Sequence, residues 1–162
     1  MKVRADLHVN GAERSVQLLG RPEEPAEHLA HKLAAAVLFF DEDPVLGAGM
    51  THDFVPDLLA RDEAGEIKLW VDCGSTTLHK LDKLVKRLPY ARVIVLKEDR
   101  RSAERLRKDA PSRVEILSWP DGAFKNWCAR VGEKNEVYGE GGGLTLNVVL
   151  NDHPVVVEFT RF

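Results

Sequence analysis

The sequence predicts an α/β fold, a mixed β-sheet flanked by helices, in one domain over residues 1–162. Three observations carry this. The segments VPDLLAR and EIKLWVD, joined by DEAG, read as a hairpin and therefore as an antiparallel pair. The helical pattern STTLHKLDKLVKRL follows and leads into ARVIVLK, a nearly continuous apolar strand of the kind buried on both faces in parallel pairing. The central order is thus helix, strand, strand, strand, helix, strand, which sets a hairpin beside a crossover to a parallel neighbour.

From the N-terminus, KVRADLHV and RSVQLLG form an opening hairpin turned at Asn10-Gly11. EEPAEHLAHKLAAAVLFF reads as a helix with Pro25 in its first turn, and Leu29, Leu33, Ala36, Val37 and Phe40 give it an apolar stripe suited to a sheet. PVLGAGM is a short apolar strand leading into the central hairpin. The next helix has a Ser/Thr cap and a face of Leu78, Leu81, Leu84, Val85 and Leu88, and Pro89 ends it. SAERLRKDA is a charged helix, RVEILSW a strand, and FKNWCARV a short helix begun at Asp121-Gly122. NEVYGE, GLTLNVVL and HPVVVEFTRF read as strands, with turns at Gly141 to Gly143 and at Asn151-Asp152.

A chain of this length buries roughly 70% of its unfolded surface and needs no covalent staple. Cys73 and Cys128 are its only cysteines, without CxxC or Cys/His ligand spacing, so neither a disulfide framework nor a structural zinc site is indicated. MKVRADLHV lacks the charged-then-apolar pattern of a secretory signal, and LAAAVLFF is far too short to span a bilayer, so a cytoplasmic, non-membrane protein is expected. The net charge of −3 argues against a strongly basic nucleic-acid coat, but the charge is uneven. Residues 80–113 hold twelve Lys or Arg against five Asp or Glu, a local +7 that leaves −10 on the rest. This basic third either faces a polyanion such as nucleic acid or is solvated helix surface with compensating salt bridges.

The residues that point to chemistry are Asp57 and Asp72. If DEAG is the hairpin loop, Arg61 opposes Glu66, Leu59 opposes Lys68, Asp57 opposes Trp70 and Val55 opposes Asp72. Alternation then places both aspartates on one face as diagonal neighbours, with backbones roughly 7–8 Å apart. A loop one residue shorter or longer sends them to opposite faces. The competing reading makes both of them turn-flanking residues at strand ends.

An acidic residue after Pro on the second core strand and another at the end of the third resemble the core of the PD-(D/E)xK nuclease superfamily. More narrowly, the chain is similar to YaeQ-family proteins in RPEEPAEHLAHKLAAAVL, VPDLLARDEAGEIKLWVDCG, HKLDKLVKR and VEILSW. The resemblance implies a nuclease-like core with extra N- and C-terminal strands and a metal site. It makes Asp57 the principal metal ligand and Asp72 the second acidic ligand, where YaeQ proteins more usually carry Glu. It matches Glu27 to a helix acid that supports the metal or its water. Gly74 stands where the superfamily has lysine, a departure that YaeQ-like proteins share, which implies a lysine supplied from elsewhere.

Phosphodiester hydrolysis needs an activated water and stabilisation of charge on the phosphate and leaving oxygen. A hard cation, Mg²⁺ or Mn²⁺, suits an oxygen-rich site of Asp57, Asp72, the Cys73 backbone carbonyl and waters, one of them held by Glu27. A lysine would orient the attacking water and steady developing charge. Lys80 lies about one helical turn past Gly74 on the border of the apolar stripe and can reach back toward Asp72. Lys83 points further toward solvent, and Lys68 precedes Asp72 by about 13 Å along the strand. For each lysine the competing reading is solvated surface.

The remaining candidates are weaker. Asp41 and Asp43 read as helix-end residues. His31 shares a helix face with Glu27 and reads as a partly exposed histidine rather than a ligand. Cys73 reads as a core thiol, and His52 has no evident partner. Trp70 either stacks on a base or lines the core. Three readings follow: a Mg²⁺-dependent phosphodiesterase of nucleic acid, a catalytically silent binding or interaction module on the same scaffold, and a protein that pairs through exposed terminal strands.

Overall fold

The computed structural model describes residues 1–46 and 54–162. The opening hairpin forms β1 (Lys2–Val9) and β2 (Ala12–Leu19), followed by α1 (Ala26–Leu38), a 3₁₀ turn (Phe40–Glu42) and β3 (Val45–Leu46). The central hairpin is β4 (Leu58–Arg61) and β5 (Ile67–Cys73), and α2 (Leu78–Arg87), β6 (Arg92–Lys97), α3 (Arg100–Asp109) and β7 (Glu115–Ser118) complete the crossovers. After α4 (Ala123–Arg130) come β8 (Lys134–Gly142), β9 (Thr145–Leu150), β10 (His153–Glu158) and β11 (Thr160–Arg161). The fold is mixed α/β, as the sequence predicts, but its strands sort into two sheets.

The order β11-β7-β6-β5-β4-β3 forms one sheet, with β5, β6 and β7 parallel and the hairpin antiparallel. The order β10-β9-β8-β1-β2 forms the other, in which β1 runs parallel to β8. Burial explains the division. Along β1, Val3, Ala5, Leu7 and Val9 are buried while Lys2, Arg4 and Asp6 are exposed, so this strand has one dry face. In β6, Val93, Ile94, Val95 and Leu96 are all buried, so that sheet needs cover on both faces.

The helix α1 fills the space between the sheets. Leu29, Ala30, His31 and every residue from Leu33 to Leu38 are buried, so the helix is apolar almost all round rather than along one stripe. Its residues share one core with β1, β5 and β8. A second core, with Leu59, Trp70, Val93, Val95 and Ile116, lies under Leu81 and Leu84 of α2 and Ala103 of α3.

Several boundaries differ from expectation. Pro25 is the N-cap of α1 rather than part of its first turn. Of PVLGAGM, Val45 and Leu46 form β3; residues 47–50, and His52, lie outside the described residues. Gly141 and Gly142 continue β8 rather than turning, and the turn falls at Gly143, with φ +59°. Gly141 is needed for close approach, because a Cβ there would collide with the Val37 carbonyl of α1. HPVVVEFTRF divides at buried Phe159 into β10 and β11, one strand for each sheet.

Candidate functional site

The hairpin register differs from the expected one by two residues. Leu58 pairs with Val71, Leu59 with Trp70 and Ala60 with Leu69, whereas Arg61 pairs with Ile67. The loop is one residue longer than DEAG: Asp62 N–H donates to the Glu66 carbonyl at 2.8 Å, and Glu66 N–H to Asp62 Oδ1 at 2.9 Å. A bulge between Ala60 and Arg61 leaves Lys68 out of the ladder and adds the second step. Together the two shifts keep Leu59 and Trp70 on one face, but Asp57 lies outside the paired residues, and its carboxylate meets α1 whereas that of Asp72 meets α2, so the two do not share a face as expected. Lys68 pairs with Glu42 at 2.9 Å. Trp70 lies in the second core, 1% exposed, which corrects the base-stacking alternative.

Asp57 sits just before β4 and closes the end of the ladder. Its N–H donates to the Val71 carbonyl at 3.1 Å, and its Oδ2 accepts the Cys73 N–H at 2.7 Å. Its Oδ1 faces His28 Nε2 at 3.2 Å and Lys32 Nζ at 3.6 Å. Glu24, just ahead of α1, holds both from the other side: its Oε2 is 2.7 Å from His28 Nδ1 and 2.9 Å from Lys32 Nζ. His28 and Lys32, four apart, share one face of α1, and Glu24 meets them from the turn before the helix. Burial pushes the Asp57 carboxyl up, but His28, the Cys73 N–H and Lys32 outweigh it and hold it below its ordinary value. The Asp57 hydrogen bond in turn raises His28.

Asp72, at the end of β5, is served from the opposite layer. Lys80 Nζ on α2 lies 2.9 Å from Oδ2 and 3.1 Å from Oδ1. Trp70 Nε1 donates to Oδ1 and Thr76 Oγ1 to Oδ2, each at 3.2 Å. Burial raises the Asp72 carboxyl despite the Lys80 ammonium beside it. Lys80 reaches there because Thr77 caps α2 through the Lys80 N–H, fixing the first turn just beyond Gly74.

Gly74 has φ +81°, and a Cβ there would lie 2.7 Å from Glu98 Oε1. A lysine at this position would therefore need a left-handed backbone. Instead the Gly74 carbonyl accepts Lys97 Nζ from β6 at 2.9 Å.

Both aspartates border one recess. An open cavity of about 600 Å³ is lined by Arg21, Glu24, His28, Lys32, Asp57 and Lys80, among others. A smaller one of about 390 Å³ shares His28, Asp57 and Lys80 with it and adds Glu27, Asp72 and Cys73. Asp57, Asp72, Lys80 and Cys73 are thus brought together. Glu27 is exposed at the rim, with no hydrogen bond or ion pair to either aspartate among the described residues. Lys83 is half-buried on α2 and has no hydrogen bond or ion pair among the described residues. Cys73 is a core thiol that burial pushes well up.

Sequence reasoning missed Glu24, His28, Lys32 and Lys97. The signal for the first three was present as a four-residue repeat, but the pair chosen, Glu27 and His31, lies on another helical face. His31 is buried rather than partly exposed, and its Nε2 accepts Trp119 Nε1 at 3.0 Å. The basic segment is partly structural. Arg107 donates to the carbonyls of Val114, Ala110 and Pro111, Arg113 to those of Leu88 and Pro89, and Arg92 pairs with Glu115. Lys86, Arg101 and Lys108 are without a hydrogen bond or ion pair among the described residues. No described helix is long and apolar enough to cross a membrane.

The family model described as YaeQ protein matches residues 5–130. Among solved structures the chain is similar to the YaeQ protein from Xanthomonas axonopodis pv. citri, at 22% identity and TM-score 0.77 over 99% of this chain and 96% of that one. It is also similar to the YaeQ protein from Pseudomonas syringae, at 15% identity and TM-score 0.76 over 99% of this chain and 94% of that one. No curated protein matches the sequence.

Proposed function

The chain belongs to the YaeQ family, and from that premise we propose that the recess between Asp57 and Asp72 is a Mg²⁺- or Mn²⁺-dependent phosphodiesterase site for a nucleic-acid backbone. The observation that carries this reading is the placement of Lys80 Nζ 2.9 Å from Asp72. It supplies an ammonium beside the second acid although Gly74 holds the position where the PD-(D/E)xK likeness expects lysine.

The donor chemistry fits a hard cation. Two carboxylates with the Cys73 carbonyl and waters make an oxygen set of the kind Mg²⁺ takes, commonly with only one or two carboxylates. Among the described residues no three His, Cys, Asp or Glu side chains form a ready-made cage. Ammonium groups already lie against both aspartates, so these carboxylates act as cation acceptors in the chain itself. When bound, the metal polarises the phosphate and makes its water more acidic.

The chain's own groups have separable tasks. Asp57 and Asp72 would hold the metal, and the Cys73 N–H fixes the orientation of Asp57. Lys80, reaching the recess past Phe54 and Trp70, would steady charge developing on the phosphate. Lys86, Arg101 and Lys108, on α2 and α3, would contact the phosphates of a longer strand.

Titration calorimetry with Mg²⁺ or Mn²⁺ tests the site: wild type should give a saturable heat that Asp57→Ala abolishes. Single-stranded, double-stranded and structured DNA and RNA should then be cleaved by wild type and not by Lys80→Met. No binding by wild type at millimolar metal would overturn the reading. A catalytically silent binding module is favoured by one observation, the neutralisation of both aspartates by the chain's own lysines. Metal-independent nucleic-acid binding without cleavage would select it.

A further inference from the structure

The site is nearly charge-balanced within itself. Glu24, Asp57 and Asp72 face the ammoniums of Lys32 and Lys80, and these five side chains lie largely out of water, with exposures of 8%, 17%, 3%, 13% and 18% respectively. With the His28 imidazole between Glu24 and Asp57 in its neutral form, three carboxylates against two ammoniums leave one excess negative charge. A divalent cation would convert it to one excess positive charge inside a poorly solvated recess, which is costly unless an anion enters too. The single negative charge of a phosphodiester cancels it.

Position makes the lysines the coupling elements. Lys80 Nζ sits on Asp72, yet Lys80 also lines the larger cavity, where Phe54 and Arg21 lie beside it. Its ammonium is 6.0 Å from the Phe54 ring centroid and 3.5 Å from the Val55 carbonyl. Lys32 Nζ sits on Glu24 and near Asp57, and it lines the same cavity. A cation arriving at the aspartates competes for the oxygens these lysines hold. A displaced ammonium needs only a rotation of its flexible stem to face the cavity.

Resting on the metal site proposed above, we infer that Lys80 and Lys32 are resident counterions that a divalent cation displaces and a phosphodiester then captures. Metal and phosphodiester therefore bind with positive coupling, each tightening the other by the same factor. Lys80 is the larger contributor, because it contacts both oxygens of Asp72.

The test is calorimetric and needs no turnover. Mg²⁺ is titrated at pH 8 into wild type, Lys80→Met, Lys32→Met and a distant charge control, Lys134→Met on β8, with and without a saturating phosphorothioate-linked dinucleotide. Thermal melts establish that each variant is folded. In wild type and Lys134→Met the dinucleotide should lower the Mg²⁺ Kd at least five-fold. In Lys80→Met, Mg²⁺ alone should bind several-fold tighter, because its competitor is gone, and the dinucleotide should change Kd less than two-fold. Lys32→Met should show the same pattern more weakly. Metal binding with no effect of the dinucleotide would overturn the coupling and leave the metal site standing. Weaker or unchanged Mg²⁺ binding by folded Lys80→Met would overturn the displacement. Absence of any Mg²⁺ heat in wild type would remove both this inference and the function it rests on.

Discussion

The Asp57 carboxylate accepts the backbone N–H of Cys73 at 2.7 Å, so the residue that precedes one strand of the central hairpin satisfies the last residue of the other. An oxygen proposed to hold metal is therefore also a structural acceptor in the ladder. The two aspartates of the site should thus differ in what they contribute to stability.

Asp57 is held ionised by attractive neighbours, whereas burial makes the charge on Asp72 unfavourable. For Asp57 the lowered carboxyl contributes stability above its ordinary value that is lost as pH falls. For Asp72 the raised carboxyl favours the fold at low pH, and that contribution is lost as pH rises. Urea unfolding at pH 7.5 should find Asp57→Ala destabilised by about 2 kcal/mol, from the unpaired N–H and stranded cations. Asp72→Asn keeps an acceptor for Trp70 Nε1 but removes the charge opposite Lys80, and should cost about 1 kcal/mol, less than Asp57→Ala because burial already opposes that charge. Equal losses would contradict the assignment of opposite strains.

His31 gives a second pH signature. Burial pushes its imidazole down to about 3, so the folded protein refuses a proton that the unfolded chain takes up near 6.5. Stability contributed by neutral His31 is complete above 6.5 and is lost as pH falls from there toward 3, by at most about 1.4 kcal/mol per pH unit. His28 is shifted the other way and opposes this slope. The decisive quantity is the difference between wild type and His31→Gln. The variant should lose less stability between pH 6.5 and 5, by chemical denaturation at each pH.

Gly74→Lys would place a lysine where the PD-(D/E)xK resemblance expects one. The φ of +81° makes that substitution strained rather than restorative, at a cost of about 1–2 kcal/mol. Gly74→Ala should lose a similar amount. Activity gained by Gly74→Lys without loss of melting temperature would show that the backbone accommodates it.

Gly141→Ala should be worse, about 2–3 kcal/mol, because the added methyl meets the Val37 backbone carbonyl rather than the end of a flexible side chain. Gly142→Ala, one residue along the same strand with open space around it, is the matched control and should cost under about 1 kcal/mol.

The parts legible in the sequence were those that local pattern determines. The α2 stripe and its Ser/Thr cap, which falls on Thr77, the two-faced apolar run of β6 and the parity of Asp72 with Trp70 all follow from spacing. Lys80 was found because one helical turn fixes its reach. The hairpin register was not legible, since the longer loop and the bulge at Ala60 each shift it by one and neither has a distinct residue signature. His28 and Lys32 were missed for a different reason. A helix buried on nearly every side has no single apolar stripe from which to choose the polar pair that meets a distant strand. The split into two sheets depends on β1 lying beside β8, residues more than a hundred positions away, and local periodicity carries no such information.

The seating of α1 between the sheets sets the order in which this protein can be completed on the ribosome. The helix bearing His28 and Lys32 is finished early, but part of its apolar surface is covered by strands made after residue 133. Until those strands emerge, a nascent chain exposes that surface to water and has only one of the walls that orient the helix. Assembly of the recess is then a late event governed by the C-terminal third, even though, among its described lining groups, only Phe124 is encoded there.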